Sequence, residues 1–332
     1  MNAISQGISS GPRAGQLQHD RPYRVGTRAS PLALVQTRSV IRLLSTAHPG
    51  EDLFQEHHFT TTGDAVQDRR LADIGGKGLF AKEIHEALLD RRIDFAVHSL
   101  KDLETELPPG IVLGCTLKRE DPRDVLILGN RCGTPDPVDP FAALPEGAVV
   151  GTSSVRRQAQ LMHVRPDLQV TTIRGNVQTR LAKLHDGQYD ASLLALAGLH
   201  RLGLDVPNAI ILEPEVMVPA AAQGIIGITV RADDRAAREL LLEIEDPEAR
   251  AVATAERSML AELDGSCRTP IGGYARVMAD GRLMLTGMVA RADGSFLLTR
   301  SKFARLSDAD RLGKTLGTSL RADAPEDIFD EF

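Results

Sequence analysis

Short apolar segments alternate with helical patterns along most of this 332-residue chain. The clearest strand-like segments are "RIDFAVHSL", "GAVVGTSS", "LQVTTIRGN" and "YDASLLAL", and helical patterns follow several of them. Such an alternation favours parallel sheets with helices on both faces. The length allows two or three domains, each with a core of its own.

The first helix is predicted directly after the strand-like segment "YRVGT". Ser30 is a natural N-cap, and Pro31 suits the first helical position because an N–H is not needed there. Leu34, Ile41 and Leu44 then recur on one face, which we expect to pack on the sheet.

The pattern changes near the C-terminus. Two strand-like runs in "RLMLTGMVARADGSFLLTRSKF" flank residues 292–295, whose composition is typical of a tight turn, so they predict a hairpin. We therefore expect two α/β domains followed by a smaller α+β domain. The last domain begins near the helical segment "DPEARAVATAERSMLAEL".

Composition argues against binding to nucleic acid or to membranes. Aromatic residues make up 4% of the chain, Trp is absent, and the net charge is -6, whereas nucleic-acid binders usually carry a basic excess. No segment approaches the ~18 consecutive apolar residues of a membrane span. The first twenty residues lack the apolar region of a signal peptide, so we expect a disordered tail on a cytoplasmic protein.

The three cysteines, Cys115, Cys132 and Cys267, are widely spaced and form no C-x-x-C pair. This argues against a disulfide framework and a metal site, and it agrees with reduced thiols in the cytoplasm. Cys267 lies in "LDGSCRTPIGGYA", where small residues leave the thiol open to close approach. Any surface turn has a similar composition, so this feature alone does not assign a function.

Three segments share one layout: a strand, a short polar loop with Arg, and a helix. In an open α/β sheet, strand carboxyl ends and helix amino ends face the ligand crevice, where the helix dipole favours an anion. Arg adds a planar group that binds carboxylate or phosphate through two hydrogen bonds. These segments supply Arg28, Ser30, Thr152, Ser153, Ser154, Arg156, Arg157, Arg174 and Arg180.

Residues 151–201 form a basic island in an acidic protein, with seven Arg or Lys and three Asp. A single Arg is most often a surface charge or part of an ion pair. Three placements at strand ends together favour a site for a polyanion. Phosphate is not favoured specifically, because "DIGGKGLF" lacks the ending of a P-loop and by itself predicts only a flexible loop. A ligand with carboxylate groups is the alternative that the sequence leaves open.

One carboxylate stands among these basic groups. Asp102 follows a strand in "DFAVHSLKDLETELPPG", which also contains His98 and Lys101. A lone Asp at a strand end is usually a cap or turn residue. Its functional interpretation is a carboxylate that steadies a cation or relays a proton. Residue chemistry alone therefore indicates an enzyme or a binder of a multi-carboxylate ligand.

Eight segments together resemble the porphobilinogen deaminase family, also called hydroxymethylbilane synthases. They occur in the family's order between about Arg24 and Ala275, and chance does not explain so many long matches. The segments are "TRASPLAL", "GGKGLFAKEI", "DFAVHSLKDLE", "GTSSVRRQAQL", "IRGNVQTRLAKL", "LALAGLHRLGL", "PAAAQGIIGI" and "LDGSCRTPIGGYA".

The resemblance implies a covalent cofactor and a stepwise condensation. In this family the loop cysteine carries a dipyrromethane through a thioether, and Cys267 stands at that place. Four porphobilinogen units lose ammonia and add head to tail on this primer, and hydrolysis releases hydroxymethylbilane. Each porphobilinogen carries an acetate and a propionate, so the growing chain is a polyanion of the kind that the basic island predicts. No metal is implied.

Family position also implies roles for single residues. Asp102 corresponds to the catalytic carboxylate, which stabilises the methylene-pyrrolenine cation left by loss of ammonia. "GGKGLFAKE" becomes a mobile loop over the cleft, with Lys77 and Phe80 facing the active site. The implied substrate contacts are Arg28, Ser30, Arg174 and Arg180. The implied cofactor contacts are Lys101, Thr152, Ser154, Arg156, Arg157 and Arg201, the last of which could serve either ligand.

The fold that the resemblance implies is α/β, with two doubly wound, periplasmic-binding-protein-like α/β domains, a hinge, and a smaller C-terminal α+β domain. "PAAAQGIIGI" returns the chain from the second domain to the first. We assign 1–20 to the tail, 21–120 with 219–243 to domain 1, 121–218 to domain 2, and 244–332, which includes the cofactor cysteine, to domain 3. The family is usually monomeric, and we expect a monomer.

Three residues depart from the family pattern. Ser266 precedes Cys267 where a Gly is commoner, a small change that is compatible with the thioether. Ala222 replaces a usual Gly before Gln223, and Thr229 stands where an acid is usual. These two changes put the packing near the hinge in question, and not the chemistry.

Two other functions would account for part of these features. A non-catalytic, two-lobed polycarboxylate-binding module would explain the α/β lobes, the Arg-rich cleft and the hinge. It gives no reason for Asp102 or Cys267 in their motifs. A nucleic-acid binder would need basic charge beyond the one cleft and aromatic residues that this chain lacks.

Overall fold

Three sheets and the helices around them make up the described part of the chain, residues 21–49, 53–65, 78–136, 138–265 and 269–329 of a computed structural model. None of the helices in these ranges is long and apolar enough to cross a bilayer. The strands are β1 (Tyr23–Arg28), β2 (Phe54–Phe59), β3 (Phe95–Ser99), β4 (Ile111–Thr116), β5 (Asp124–Leu128), β6 (Val149–Gly151), β7 (Gln169–Thr171), β8 (Ala191–Ala195), β9 (Ala209–Leu212), β10 (Ile226–Arg231), β11 (Ile271–Val277), β12 (Arg282–Ala290) and β13 (Leu297–Arg305). The α-helices are α1 (Pro31–Ala47), α2 (Thr62–Ala65), α3 (Lys82–Leu89), α4 (Val155–Val164), α5 (Val177–His185), α6 (Leu196–Leu202), α7 (Arg235–Leu242), α8 (Pro247–Glu262) and α9 (Ala309–Asp323).

The first two sheets share one topology. The first has the order β2-β1-β3-β10-β4, and the second has the order β7-β6-β8-β5-β9. In each sheet one strand runs antiparallel to both of its neighbours: β10 lies between β3 and β4, and β5 lies between β8 and β9. The chain enters the second sheet with β5, and it returns to the first sheet with β10. The two predicted α/β domains are confirmed.

The face that α1 buries differs in part from the predicted one. Leu44 is fully buried, whereas Leu34 and Ile41 are only partly buried. Gln36 lies on the buried face, where its side-chain amide is paired: it donates a hydrogen bond to Ser99 Oγ at 2.9 Å. Ile41 still packs against the hydrophobic cluster that contains Leu44, so the prediction is confirmed in part. It missed Gln36 because a hydrophobic pattern does not detect a polar residue that is paired in the interior.

The third sheet is antiparallel, in the order β11-β12-β13, and α8 and α9 pack against it. The predicted hairpin joins β12 to β13, and Arg291 N donates to Phe296 O at 3.0 Å across its turn. Gly294 has a φ of +77°, and a Cβ there would lie 2.5 Å from His163 N in α4. The turn therefore needs glycine both for its backbone and for its close approach to the second sheet's helix. The smaller α+β domain is confirmed.

The returning segment, residues 219–225, leads the chain back to the first sheet and contains a backbone conformation that favours glycine. Ala222 has a φ of +61° at the position where the family pattern has Gly. Its N–H donates to Glu256 Oε2 at 2.5 Å, and Arg119 Nη1 donates to the other oxygen of this carboxylate at 2.7 Å. A buried ion pair thus holds the turn in a conformation that alanine does not favour.

Candidate active site

A cleft of about 470 Å³ lies between the first two sheets. Its lining comes from strand carboxyl ends and helix amino ends in both sheets, as the strand–loop–helix pattern predicts. Among the described residues five cations and two carboxylates line it, so the cleft attracts anions. The charged residues are Arg28, Asp64, Lys101, Asp102, Arg157, Arg174 and Arg180.

Asp102 is brought to the cleft by the end of β3. It closes a 3-10 turn, Leu100–Asp102, that follows the strand directly. Its side chain is 33% exposed, and Arg28 Nη1 lies 3.9 Å from its Oδ2. A carboxylate fixed on a short turn in this way can stabilise positive charge that develops on a ligand.

Arg28 and Ser30 stand at the junction of β1 and α1. Ser30 Oγ accepts a hydrogen bond from Ala33 N at 3.4 Å, which caps α1 as predicted. The Arg28 guanidinium lies 4.3 Å from the centre of the Phe80 ring, a cation–π contact. Burial opposes the charge of Arg28, but its hydrogen bonds with Asp64 raise its pKa. Arg28, Ser30 and Phe80 all line the cleft.

Arg174 and Arg180 enter the cleft from the second sheet. Arg174 Nη2 donates to Gly63 O at 3.3 Å, and Arg180 Nε donates to Gly175 O at 2.9 Å. Burial lowers the pKa of both arginines, and at Arg180 repulsion from Arg157 and Arg174 contributes to a value of about 10. Cations whose charge is disfavoured in this way are stabilised by an anionic ligand.

Lys101 and Arg157 are joined by a polar network that links the two sheets. Lys101 Nζ donates to Gln223 Oε1 at 3.1 Å, and Gln223 Nε2 donates to Asp124 Oδ1 at 2.9 Å. Asp124 also accepts from Arg157 Nε at 3.1 Å and from Arg157 Nη2 at 2.6 Å. Burial lowers the pKa of Lys101 to about 8. The network holds one cation from each sheet at the cleft.

Four residues predicted to contact the cofactor lie outside the lining formed by the described residues. Arg156 is buried, and its Nη1 pairs with Asp124 Oδ2 at 2.8 Å and donates to Val218 O at 2.6 Å. Burial opposes the charge of Asp124, but the guanidinium groups of Arg156 and Arg157 hold its pKa below the usual range. The four residues are Thr152, Ser154, Arg156 and Arg201.

The other three of these residues have partners within the protein. Thr152 Oγ1 accepts from Ser154 N at 3.1 Å, and Ser154 Oγ accepts from Arg157 N at 3.4 Å, which caps α4. Arg201 Nη2 donates to Gly224 O at 2.6 Å in the returning segment. Their hydrogen bonds shape the start of α4 and the link between the sheets.

Cys267 and Lys77 lie outside the described residues. Helix α8, which precedes Cys267 in the chain, is bonded to the segment after the 3-10 turn, where Arg257 Nη1 donates to Leu103 O at 3.3 Å. Leu263, directly after α8, belongs to the same hydrophobic cluster as Leu103. The described chain leading to Cys267 thus packs beside the turn that carries the candidate catalytic carboxylate.

Three polar residues of this site were not predicted from the sequence: Asp64, Asp124 and Gln223. Asp124 opens the apolar strand β5, and an acid in such a strand needs a partner, so a usable signal was present. Asp64 and Gln223 stand in segments with no such signal. The partners Arg28 and Arg157 are 36 and 33 residues away from Asp64 and Asp124, beyond the reach of local patterns.

Known proteins similar to this chain include solved structures and curated relatives. Similar solved structures include the periplasmic molybdate-binding protein of Azotobacter vinelandii, which is 10% identical, with a TM-score of 0.38, over 70% of this chain and 97% of that one. The porphobilinogen deaminase of Paracoccus denitrificans is 48% identical over 93% of this chain and 96% of its own length. That of Syntrophobacter fumaroxidans is 44% identical over 94% of this chain and 98% of its own length.

Two family models divide the chain between them. The model described as "Porphobilinogen deaminase, dipyromethane cofactor binding domain" matches residues 23–239. The model described as "Porphobilinogen deaminase, C-terminal domain" matches residues 251–322. With relatives 44–48% identical over almost their whole length, these matches show that the chain belongs to the porphobilinogen deaminase family.

Proposed function

We propose that this chain catalyses the hydroxymethylbilane synthase reaction. It condenses four porphobilinogen molecules head to tail with loss of ammonia, and it releases the linear tetrapyrrole by hydrolysis. The observation that carries the proposal is the carboxylate of Asp102 in a cleft whose cations come from both sheets. Membership of the family supports the same reaction.

Asp102 is the catalytic residue in this proposal. Loss of ammonia from porphobilinogen leaves a methylene-pyrrolenine cation on the substrate, and a preorganised carboxylate lowers the free energy of that charge. The position of Asp102 on a turn after a buried strand supports this role. Its partial exposure to the cleft leaves it accessible to a ligand.

Arg28, Ser30, Arg174 and Arg180 bind the acetate and propionate groups of the incoming substrate. All four line the cleft, and the three arginines can each form paired hydrogen bonds with a carboxylate. The lowered pKa of partly buried Arg180 supports a role in binding anions, because a carboxylate there would offset the repulsion between neighbouring cations.

A dipyrromethane attached to Cys267 supplies the primer on which the first substrate unit is added. The described residues fit a group that carries several carboxylates, since Lys101 and Arg157 present cations to the cleft from opposite sheets. Arg156 acts through Asp124, which it shares with Arg157.

Thr152, Ser154 and Arg201 stay proposed cofactor contacts, and each also has a partner within the protein. Thr152 and Ser154 order the start of α4 and so position Arg157, and Arg201 holds the returning segment through Gly224. These contacts support a contribution to the shape of the site in addition to the proposed binding.

Lys77 and Phe80 belong to a segment that moves over the cleft in this proposal. The contact between the Phe80 ring and Arg28 supports a position of Phe80 at the cleft, and Lys77 lies outside the described residues.

We infer further that the three sheets are the cores of three domains with the limits 21–120 with 219–243, 121–218 and 244–332. Distinct hydrophobic clusters at the first and second sheets support this division. We also infer a cytoplasmic monomer that binds neither nucleic acid nor membranes. The net charge of -6 and the free thiols of Cys115 and Cys132 support that inference.

Intact mass and turnover test the proposed function together. The purified parent should exceed the mass of its chain by two linked pyrrole units, and Cys267→Ser should not. Asp102→Asn should keep the added mass and lose roughly 100-fold or more in turnover, as expected when a charge that stabilises a transition state is removed. Near-normal turnover of Asp102→Asn contradicts the role of this carboxylate. An unmodified parent that gains no mass from porphobilinogen would favour the polycarboxylate-binding module.

A further inference from the structure

The four-residue helix α2 lies at the cleft and contacts arginines from both sheets. Arg28 Nε donates to Asp64 Oδ2 at 3.1 Å, and Arg28 Nη2 donates to Asp64 Oδ1. The preceding residue, Gly63, accepts a hydrogen bond through its carbonyl from Arg174 Nη2 at 3.3 Å. One short helix thus contacts two of the four proposed substrate-binding side chains.

The contact between Arg28 and Asp64 has the form of a bound ligand carboxylate. Two nitrogens of one guanidinium donate to two oxygens of one carboxylate, which is also how Arg recognises carboxylates of small molecules. Thr61 Oγ1 donates to Asp64 Oδ2 at 2.7 Å. Burial opposes the charge of Asp64, yet its hydrogen bonds with Arg28 lower its pKa, so it is ionised at neutral pH.

This ion pair is open to exchange with a ligand. The side chains of Arg28 and Asp64 are 22% and 25% exposed, whereas those of Arg157 and Asp124 are 7% and 0% exposed. A pair that water reaches contributes little net stability, because solvent competes for both partners. A ligand carboxylate of the same geometry can therefore replace Asp64 at Arg28.

We propose that Asp64 is a resident carboxylate at the substrate-carboxylate site of Arg28, so that a carboxylate of the substrate must displace it. The inference rests on the proposed function of the cleft. Because Gly63 and Asp64 belong to one helical turn, displacement of α2 removes an acceptor from Arg28 and from Arg174 together. A ligand with two carboxylates replaces both acceptors, and a ligand with one carboxylate replaces only one. Asp64 thereby selects for dicarboxylates such as porphobilinogen.

Asp64→Asn tests the proposal, with Asp121→Asn as its matched control. Asp121 is 22% exposed and accepts hydrogen bonds from Arg123 Nε at 3.1 Å and Arg123 Nη2 at 2.7 Å, but it does not line the cleft. In the cofactor-loaded enzyme, we expect Asp64→Asn to lower KM for porphobilinogen about fivefold and to keep kcat within about twofold of the parent. Asp121→Asn should change neither constant.

Selectivity supplies a second readout. Glutarate and butyrate, with two carboxylates and one, are tested as competitive inhibitors of parent and variant. We expect the parent to prefer glutarate by roughly tenfold and Asp64→Asn to prefer it by about threefold or less, because the internal competitor has lost its charge. An unchanged or raised KM, or an unchanged preference for glutarate, overturns the proposal: Asp64 would then orient Arg28 rather than compete with the substrate. Asp64→Ser replaces Asp64→Asn if the circular dichroism of the latter differs from that of the parent.

Failure of the proposed function would be visible separately, because the parent itself would not turn over porphobilinogen. Titration calorimetry with glutarate then tests the inference on binding alone. Asp64→Asn should bind glutarate about fivefold more tightly than the parent and Asp121→Asn. Equal affinity in all three proteins overturns the inference.

Discussion

Acid should destabilise this protein through His98, which lies in β3 and is 6% exposed. Its Nε2 shares a hydrogen bond of 2.9 Å with Thr229 Oγ1, and the centre of its ring lies 5.9 Å from that of His85. Burial lowers the pKa of His98 to about 3, and repulsion from His85 and Arg28 acts in the same direction. The folded protein therefore favours the neutral imidazole.

The size of the effect follows from proton linkage. In the unfolded chain the pKa of His98 returns to its ordinary value of 6.5, so below that pH the unfolded state binds more protons than the folded state. The contribution of neutral His98 to the free energy of unfolding is therefore fully present above about pH 6.5, and it is lost as the pH falls toward 3. Between about pH 7.5 and 5 the loss is about 2 kcal/mol, and it stays at about that size for any folded-state pKa below about 4.

Urea unfolding, followed by far-ultraviolet circular dichroism at these two pH values, measures the loss. The free energy of unfolding of the parent should fall by about 2 kcal/mol more than that of His98→Gln, which has no titrating group at this position. Burial also lowers the pKa of His85, and because His85 is present in both proteins, the difference between parent and variant reports chiefly on His98. Thr229→Glu places a carboxylate beside Nε2 and should reduce the loss by raising the pKa of His98. Equal losses in the parent and His98→Gln would refute the reasoning.

Two further predictions concern stability. Asp124→Asn removes the carboxylate that pairs with two buried arginines of α4 and should lower the free energy of unfolding in urea by about 3–5 kcal/mol. Asp121 forms a partly exposed ion pair with Arg123, and Asp121→Asn should lower the free energy of unfolding by less than about 1 kcal/mol. Similar losses for both variants would show that burial is not decisive. Gly294→Ala places a Cβ 2.5 Å from a backbone nitrogen of α4 at a φ of +77°, so thermal unfolding should show a loss of about 2–3 kcal/mol. Gly281 is the control: it has a φ of +78°, but a Cβ there would have no heavy atom within 4 Å, so Gly281→Ala should lower stability by about 1 kcal/mol. A Gly294→Ala variant that is no less stable than Gly281→Ala would exclude tight packing of the hairpin on α4.

Much of the fold and part of the candidate site could be predicted from local patterns. Strand–helix alternation predicted two α/β sheets, Ser30 predicted the start of α1, and the turn at 292–295 predicted the C-terminal hairpin. The alternation predicted parallel sheets, and the antiparallel strands β10 and β5 were not predicted. Arg28 ends β1 and Arg174 follows β7, and both line the cleft. These predictions succeed because caps, turns and periodicity act over a few residues and because strand carboxyl ends meet at one edge of a sheet.

The sequence by itself determined which elements form and which ends of them carry charge, and only the tertiary structure decided which charges pair. Arg156 and Arg157 are neighbours in one motif, yet Arg157 lines the cleft and Arg156 is bonded to Asp124 and a backbone carbonyl. Successive side chains on a helix point about 100° apart, so packing decides which of the two reaches a ligand. Asp64 meets Arg28 across 36 residues, because an ion pair depends on distance in space, which is set by how the sheets and helices pack.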